Sequence, residues 1–460
     1  MKHLWLWWRK EWVRVELEQL IDEGRDISSV EPEFTRLLSD ETDETVDWYQ
    51  SAVNELLDKA QSLPMRSEYR FVEPSDLEGI RAARRKLKTP PVTSRKRHSK
   101  AQRLDHIHGA WLGRCAGCLL GKPLEGTLRP RLEKFLEDFG LEELDDYVWR
   151  LPGLSKEIGA GLNRWQSESP WGYRGIKTYI GDDDTNYTVM EMAMMKQYGI
   201  HFISENVADF LLQHVSALAT CTAERVAYRN LMNGIEPPVS AVVRNPYREW
   251  IGAQIRSDFF GYVTLGDPEL ASELAWRDAR VSHVKNGIYG AMWVAAMLSA
   301  AIGETDMCRL INIGLDQIPE KSRFFASIAE ILKRYEAGDT YEDMLRYIHS
   351  LWDETDIHHW CHVISNAQIV AIGLLYGEGD FEKSITRAVG ICFDADCNGA
   401  TVGSIVGMVL GAKALPEKWT EIMHDKIHTD IAGYNDTKIS ALAKEMFLLQ
   451  DKVAKERKCE

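Results

Sequence analysis

A chain of 460 residues can fold as one large domain or as two to three ordinary ones, and a hydrophobic share of 45% belongs to a packed globular protein, which excludes a disordered one. The formal net charge of −15 argues against general affinity for nucleic acid or for an anionic membrane. Eight scattered cysteines are too sparse for a disulfide framework, so reduced thiols and a cytoplasmic setting are expected.

The first twelve residues are rich in Trp, but Lys2, Arg9, Lys10 and Glu11 interrupt them, so no secretory signal is expected there. Residues 1–80 read as an amphipathic helical extension. Leu17, Leu20 and Ile21 fall at helical spacing, as do Val53, Leu56 and Leu57, and Pro32, Pro64 and Pro74 punctuate the region. Residues 81–103 are strongly basic around Pro90-Pro91 and read as a solvated linker rather than a nucleic-acid patch. A helical body is expected from about Leu104 to the end, over 104–460. Period-2 alternation is not sustained anywhere, and the long apolar runs carry Ala, Leu, Met and Gly rather than β-branched residues.

Within that body, Gly109, Gly113, Gly117 and Gly121 recur every four residues, which places them on one side of a helix. The run ends at Gly121-Lys122-Pro123-Leu124-Glu125. The helix is too apolar for a surface element, so Glu125 is expected to project into the core or a cleft. Cys115 and Cys118 lie inside the same helix and read as buried packing, since a lone C-x-x-C is weak as a zinc or redox signature. Residues 140–180, with Pro152, Gly153, Gly159, Gly161, Pro170 and Gly172, read as a long irregular loop. It leads into Asp182-Asp183-Asp184-Thr185. A helix N-terminus uses one or two such residues as caps, and three consecutive aspartates exceed that need.

Arg256 and Asp258 are expected to form a buried polar pair. Ser282–Gly287 heads an apolar run to Gly303, which just reaches the lower length for a membrane span and reads as a buried helix instead. His358 and His362 are spaced i, i+4, compatible with a zinc site, with substrate contacts, or with structural roles. Asn366 lies one turn beyond. Asp394-Ala395-Asp396-Cys397-Asn398 then opens a helix with Gly399, Gly403, Gly407 and Gly411 again at every fourth position. Small residues of this kind let another helix backbone approach closely. Five aspartates at the mouths of two buried helices repel one another unless a cation lies between them, and hard oxygen ligands favour Mg²⁺ or Mn²⁺.

Three of these elements resemble the ADP-ribosylglycohydrolase family: Leu120-Gly121-Lys122-Pro123-Leu124-Glu125, Asp182-Asp183-Asp184-Thr185, and Asp394 to Gly399. Their order and spacing agree with the family, as does the segment around His283 and Asn286. The resemblance covers the chain from about Leu104 onward. It implies an all-α, compact multi-helix fold whose central cleft holds two Mg²⁺ or Mn²⁺ ions. It also implies metal ligation by Asp183, Asp184, Asp394 and Asp396, with Glu125 as the catalytic carboxylate and His283 beside the ribose or adenine of a ligand. Asn286, His362, Asn398 and Gly399 complete the candidate substrate-binding set.

Two residues of the metal set depart from the family pattern. Asp182 stands where a hydroxyl residue is usual. Cys397 stands where many members have a Thr ligand, so that Mn²⁺ is preferred, or the second site is weaker, or the thiol does not coordinate. Gly234–Tyr247 carries Pro237-Pro238 and Asn245-Pro246 in place of a phosphate-binding loop. The resemblance thus implies a metal-dependent hydrolase of a ribosyl N- or O-glycosidic bond, acting on a small-molecule or ADP-ribosylated substrate, with no nucleic-acid or membrane partner. A small nucleoside or nucleotide-sugar as substrate is one alternative, and a non-catalytic ligand-binding relative is another. The oligomeric state stays open.

Overall fold

The computed structural model describes residues 7–41, 43–86, 98–151, 153, 179 and 181–456. The all-α expectation holds. Among the described residues helices make up nearly all the regular structure, and the one sheet is a two-stranded antiparallel ribbon of Ile427–His428 and Asp436–Thr437. The helices used below are α1 (Lys10–Asp22), α2 (Lys100–Gly121), α3 (Asp183–Tyr198), α4 (Lys285–Ala301), α5 (Val363–Tyr376), α6 (Phe381–Gly390) and α7 (Ala395–Leu410).

The N-terminal extension packs against the rest of the chain. Trp12, Val13, Leu20, Val53, Leu56 and Leu57 belong to one hydrophobic core shared with α2, α4, α5 and α7. Ile21 departs from its expected side and is exposed. Ion pairs fasten the extension too. Arg248 bonds Glu16 and Glu23 at 2.7 Å each, and Arg323 holds Glu73 at 3.0 Å and Glu249 at 2.7 Å.

Helices reach into both ends of the basic stretch. Leu77–Ala83 is a helix, and α2 begins at Lys100 rather than Leu104, because Ser99 and Gln102 form a reciprocal capping box. Pro90-Pro91 and most of the expected 140–180 loop lie outside the described residues.

The two glycine ladders are each other's partner. α2 and α7 run antiparallel, with Gly109 against Gly407, Gly113 against Gly403, Gly117 against Gly399, and Gly121 against Ala395 and the amide of Asp396. A Cβ at any of these glycines would overlap the opposite backbone. Each glycine costs the helix about 1 kcal/mol against alanine. Backbone-to-backbone packing along the whole seam offsets that cost and fixes where the ends of the two helices meet. α4, α5 and α7 are buried almost throughout, as their apolar runs require. No described helix is long and apolar enough to cross a membrane. The seven described cysteines are all free thiols.

Candidate metal centre

The seam delivers the end of α2 onto the start of α7. A short 3₁₀ turn, Lys122–Leu124, follows Gly121 and places Lys122 and Glu125 against Asp396. The first turn of α3 comes in beside them. Asp182 is its N-cap and accepts the amide of Asp184 at 3.0 Å, so one aspartate does the capping and the other two are surplus to it. Asp394 leads α7 without a side-chain capping bond. The two residues before it, Cys392 and Phe393, have φ of 73° and 58°, a left-handed backbone that non-glycine residues adopt only at a cost. Strain is thus held in the loop that presents the second acidic knot.

Lys122 Nζ lies 2.7 Å from Asp182 Oδ2, 2.9 Å from Asp396 Oδ2 and 3.1 Å from Glu125 Oε2. Burial alone would lower the lysine's pKa. The three carboxylates outweigh it and hold the ammonium charged far above its usual range. In return, and against the pull of burial, Lys122 holds Asp182 below the usual carboxylate range. Burial followed by the neighbouring Asp396 pushes Glu125 up to about 7, with Lys122 opposing. Burial and neighbouring aspartates push Asp183, Asp184 and Asp394 well up.

Arg114, fully buried inside α2, is the second internal cation. Its Nη1 bonds Asp258 Oδ2 at 2.8 Å, its Nη2 reaches Asp184 Oδ1 at 3.3 Å, and its Nε donates to the Asp184 carbonyl at 2.5 Å. Two buried carboxylate oxygens of the knots stay without a partner, Asp184 Oδ2 and Asp396 Oδ1. Asp184, Asp396 and Cys397 bring one potential ligand atom each within 4.8 Å of one another, and so do Cys118, Asp182 and Asp184. Orphaned buried oxygens of opposite walls fit a bound divalent cation. Burial pushes both the Cys118 and Cys397 thiols up, so they meet the centre uncharged.

The other candidate residues fall in three places. Asn398 Nδ2 donates to Asn366 Oδ1 at 2.8 Å, and Asn366 Nδ2 donates in turn to the carbonyls of Trp360 and His362 at 2.9 Å. This ties the second knot to the histidine segment, while Gly399 serves the seam. His283 is buried with Ser282 Oγ at 2.8 Å and Glu224 Oε1 at 3.8 Å, and burial and then Arg256 hold it neutral. Asn286 spends its amide on Glu73 and Glu249 and its oxygen on the amide of Phe324, fastening the N-terminal extension. His362 lines a cavity of about 430 Å³ with Asp22, Arg70, Arg323 and Trp352, whereas Cys361 beside it reaches to 3.7 Å from Asp394 Oδ2.

One sequence expectation needs correction. Arg256 does not pair with Asp258. It bonds Glu224 and Asp278 at 2.7 Å each, and Asp258 turns to Arg114, because a helix break at Ser257 sends the two side chains apart. His358 and His362 do come together: one ring nitrogen of each and an Asp22 oxygen lie within 4.8 Å of one another. Trp250 Nε1 donates to His358 Nδ1 at 3.0 Å, and the Ile364 amide donates to His362 Nδ1 at 3.1 Å. Neither donor can reverse its role, so Nδ1 of each ring accepts, which leaves His358 Nε2 facing Asp22 Oδ2 at 3.4 Å and His362 Nε2 buried without a partner.

Sequence reasoning passed over Lys122 and Arg114. The signal for Arg114 was its charge inside an otherwise apolar glycine-faced helix.

Residues 99–456 match the family model described as ADP-ribosylglycohydrolase. An uncharacterized protein of Archaeoglobus fulgidus is 25% identical over 326 residues, covering 68% of this chain and 90% of its own. A solved structure titled ADP-ribosylglycohydrolase-related protein complex matches 76% of this chain and 99% of its own, at 18% identity and a TM-score of 0.45. The family match starts at the Ser99 cap of α2 and runs through both acidic knots to the last described helix, so the chain belongs to the ADP-ribosylglycohydrolase family.

Proposed function

We propose that this protein is a metal-dependent hydrolase of a ribosyl N- or O-glycosidic bond. The observation that carries the reading is the pair of orphaned buried oxygens, Asp184 Oδ2 and Asp396 Oδ1, beside a carboxyl poised at about 7 on Glu125. Asp184 and Asp396 would hold Mg²⁺ or Mn²⁺, with Asp183 and Asp394 in the adjacent turns and Cys397 as a neutral neighbour. When bound, such an ion lowers the pKa of water and clamps substrate oxygens.

The chain's own residues supply the rest. Glycoside cleavage passes through an oxocarbenium-like state and needs a carboxylate and a positioned water. Glu125, the carboxylate at the edge of the cluster, would take a proton from that water and return it. The aspartates around it favour developing positive charge on the ribose. Asn398 and the His362 side of the second knot are the substrate-side candidates. The proline-bearing 234–247 segment favours a small nucleoside or nucleotide-sugar over an ADP-ribosylated protein.

The test is Mg²⁺- or Mn²⁺-dependent release of ribose or ADP-ribose from a panel of ribosyl compounds. Glu125→Gln is expected to lower kcat by roughly 10²–10⁴-fold with the metal still bound. A wild-type protein that binds metal but turns over no ribosyl compound would support a ligand-binding relative instead.

A further inference from the structure

We propose that Lys122 is a built-in cation of the metal centre: its ammonium occupies the place of a second divalent ion, so the site holds one metal rather than two. The inference rests on the metal reading above and goes beyond it in fixing the stoichiometry.

An ammonium has three N–H donors, and Lys122 has carboxylate partners on three separate chain segments, at 2.7, 2.9 and 3.1 Å. These oxygens therefore already face a cation. Asp396 is the shared wall. Its Oδ2 is taken by Lys122, while its Oδ1 is buried without a partner. Asp184 Oδ2 is likewise without one. The bound side and the orphaned side of Asp396 thus mark two neighbouring cation positions, one filled by the protein and one built for an ion.

The lysine is not placed there by a wandering side chain. It follows Gly121, whose missing Cβ lets α2 rest on the backbone of Ala395 and Asp396, so the root of the lysine stem is pinned by the seam. Only 14% of its side chain is exposed. Asp182 now has an explanation as well. An aspartate where a hydroxyl is usual adds a negative charge at the centre, and Lys122 is the counter-charge 2.7 Å away.

Mn²⁺ alone is the probe, with the full chain. Binding is counted by calorimetry and by elemental analysis after dialysis, and the coupling of ions is read by electron paramagnetic resonance. The wild type is expected to take one Mn²⁺ per chain and to give the six-line spectrum of an isolated ion. Lys122→Ala is expected to take two, with a spin-coupled spectrum. Lys122→Arg keeps the charge and is expected to stay at one. Two ions on the wild type, or one on Lys122→Ala, would overturn the inference. Should Lys122→Ala not fold, the wild-type count and Lys122→Met, which keeps the stem and removes the charge, decide it in the same way. No ion on the wild type would overturn the metal reading itself, a different result from two ions.

Discussion

The seam between α2 and α7 makes Gly403→Ala a stringent test. The new methyl carbon would overlap the Gly113 carbonyl oxygen and lie 2.8 Å from its carbon. Ordinary contacts of this kind begin near 3.4 Å, and the obstacle is helix backbone, which cannot rotate away. The helices would have to part by about 1 Å, a gap that forfeits a quarter to a half of the dispersion energy of each contact across it. Overpacking of this kind costs about 1–3 kcal/mol, and the lost seam contacts add to it. Alanine's better helix propensity returns only about 1 kcal/mol. The net effect is a destabilisation of about 2 kcal/mol. If the whole chain melts as a unit, an unfolding entropy of about 2 cal/mol/K per residue turns this into a fall of about 2 °C in Tm. Gly390→Ala is the matched control. It lies at the end of α6, where a Cβ would meet nothing closer than Tyr341 Oη at 3.4 Å, so its stability should hold or rise slightly. Calorimetry or urea unfolding of the two variants gives the answer. Gly403→Ala as stable as Gly390→Ala would refute the backbone-contact account of the seam.

Two further outcomes follow from the charges. Burial and Asp396 raise Glu125 to about 7, so its contribution to the stability of the metal-free protein is fully present below the unfolded carboxylate range and is lost as pH rises through about 7. A cation favours the ionised form, so Mn²⁺ binding at pH 6 should release more protons than at pH 8.5. Calorimetry in buffers of different ionisation enthalpy measures this, and equal release at both pH values would count against it. Arg114→Met should destabilise the fold by about 3–5 kcal/mol, because it strands the buried carboxylates of Asp184 and Asp258 without their cation. An unchanged unfolding midpoint in urea would show that the pair carries no such weight.

Much of this was readable from local patterns. A glycine at every fourth position states a need for close approach wherever the partner lies, and three aspartates in a row exceed any cap, so the buried helices and both acidic knots were visible residue by residue. What escaped depends on who meets whom. Lys122 looked like filler within a motif because its partners lie at positions 125, 182 and 396. The i, i+4 spacing of His358 and His362 did bring the rings to one place. Their protons are fixed by Trp250 and by a backbone amide, and neither is legible in the spacing. Arg256 and Asp258 were misjudged because sequence proximity says nothing about a helix break between them.

The seam also sets an order of events. Gly121 and Ala395 meet across more than half of the chain, so the two halves of the centre come together only through a long loop closure, which slows folding more than it weakens the folded state. On a ribosome, Glu125 and the first acidic knot emerge long before α7, and until α7 arrives the glycine face of α2 has nothing to rest on. The two acidic knots of the nascent chain therefore cannot come together until α7 has been made.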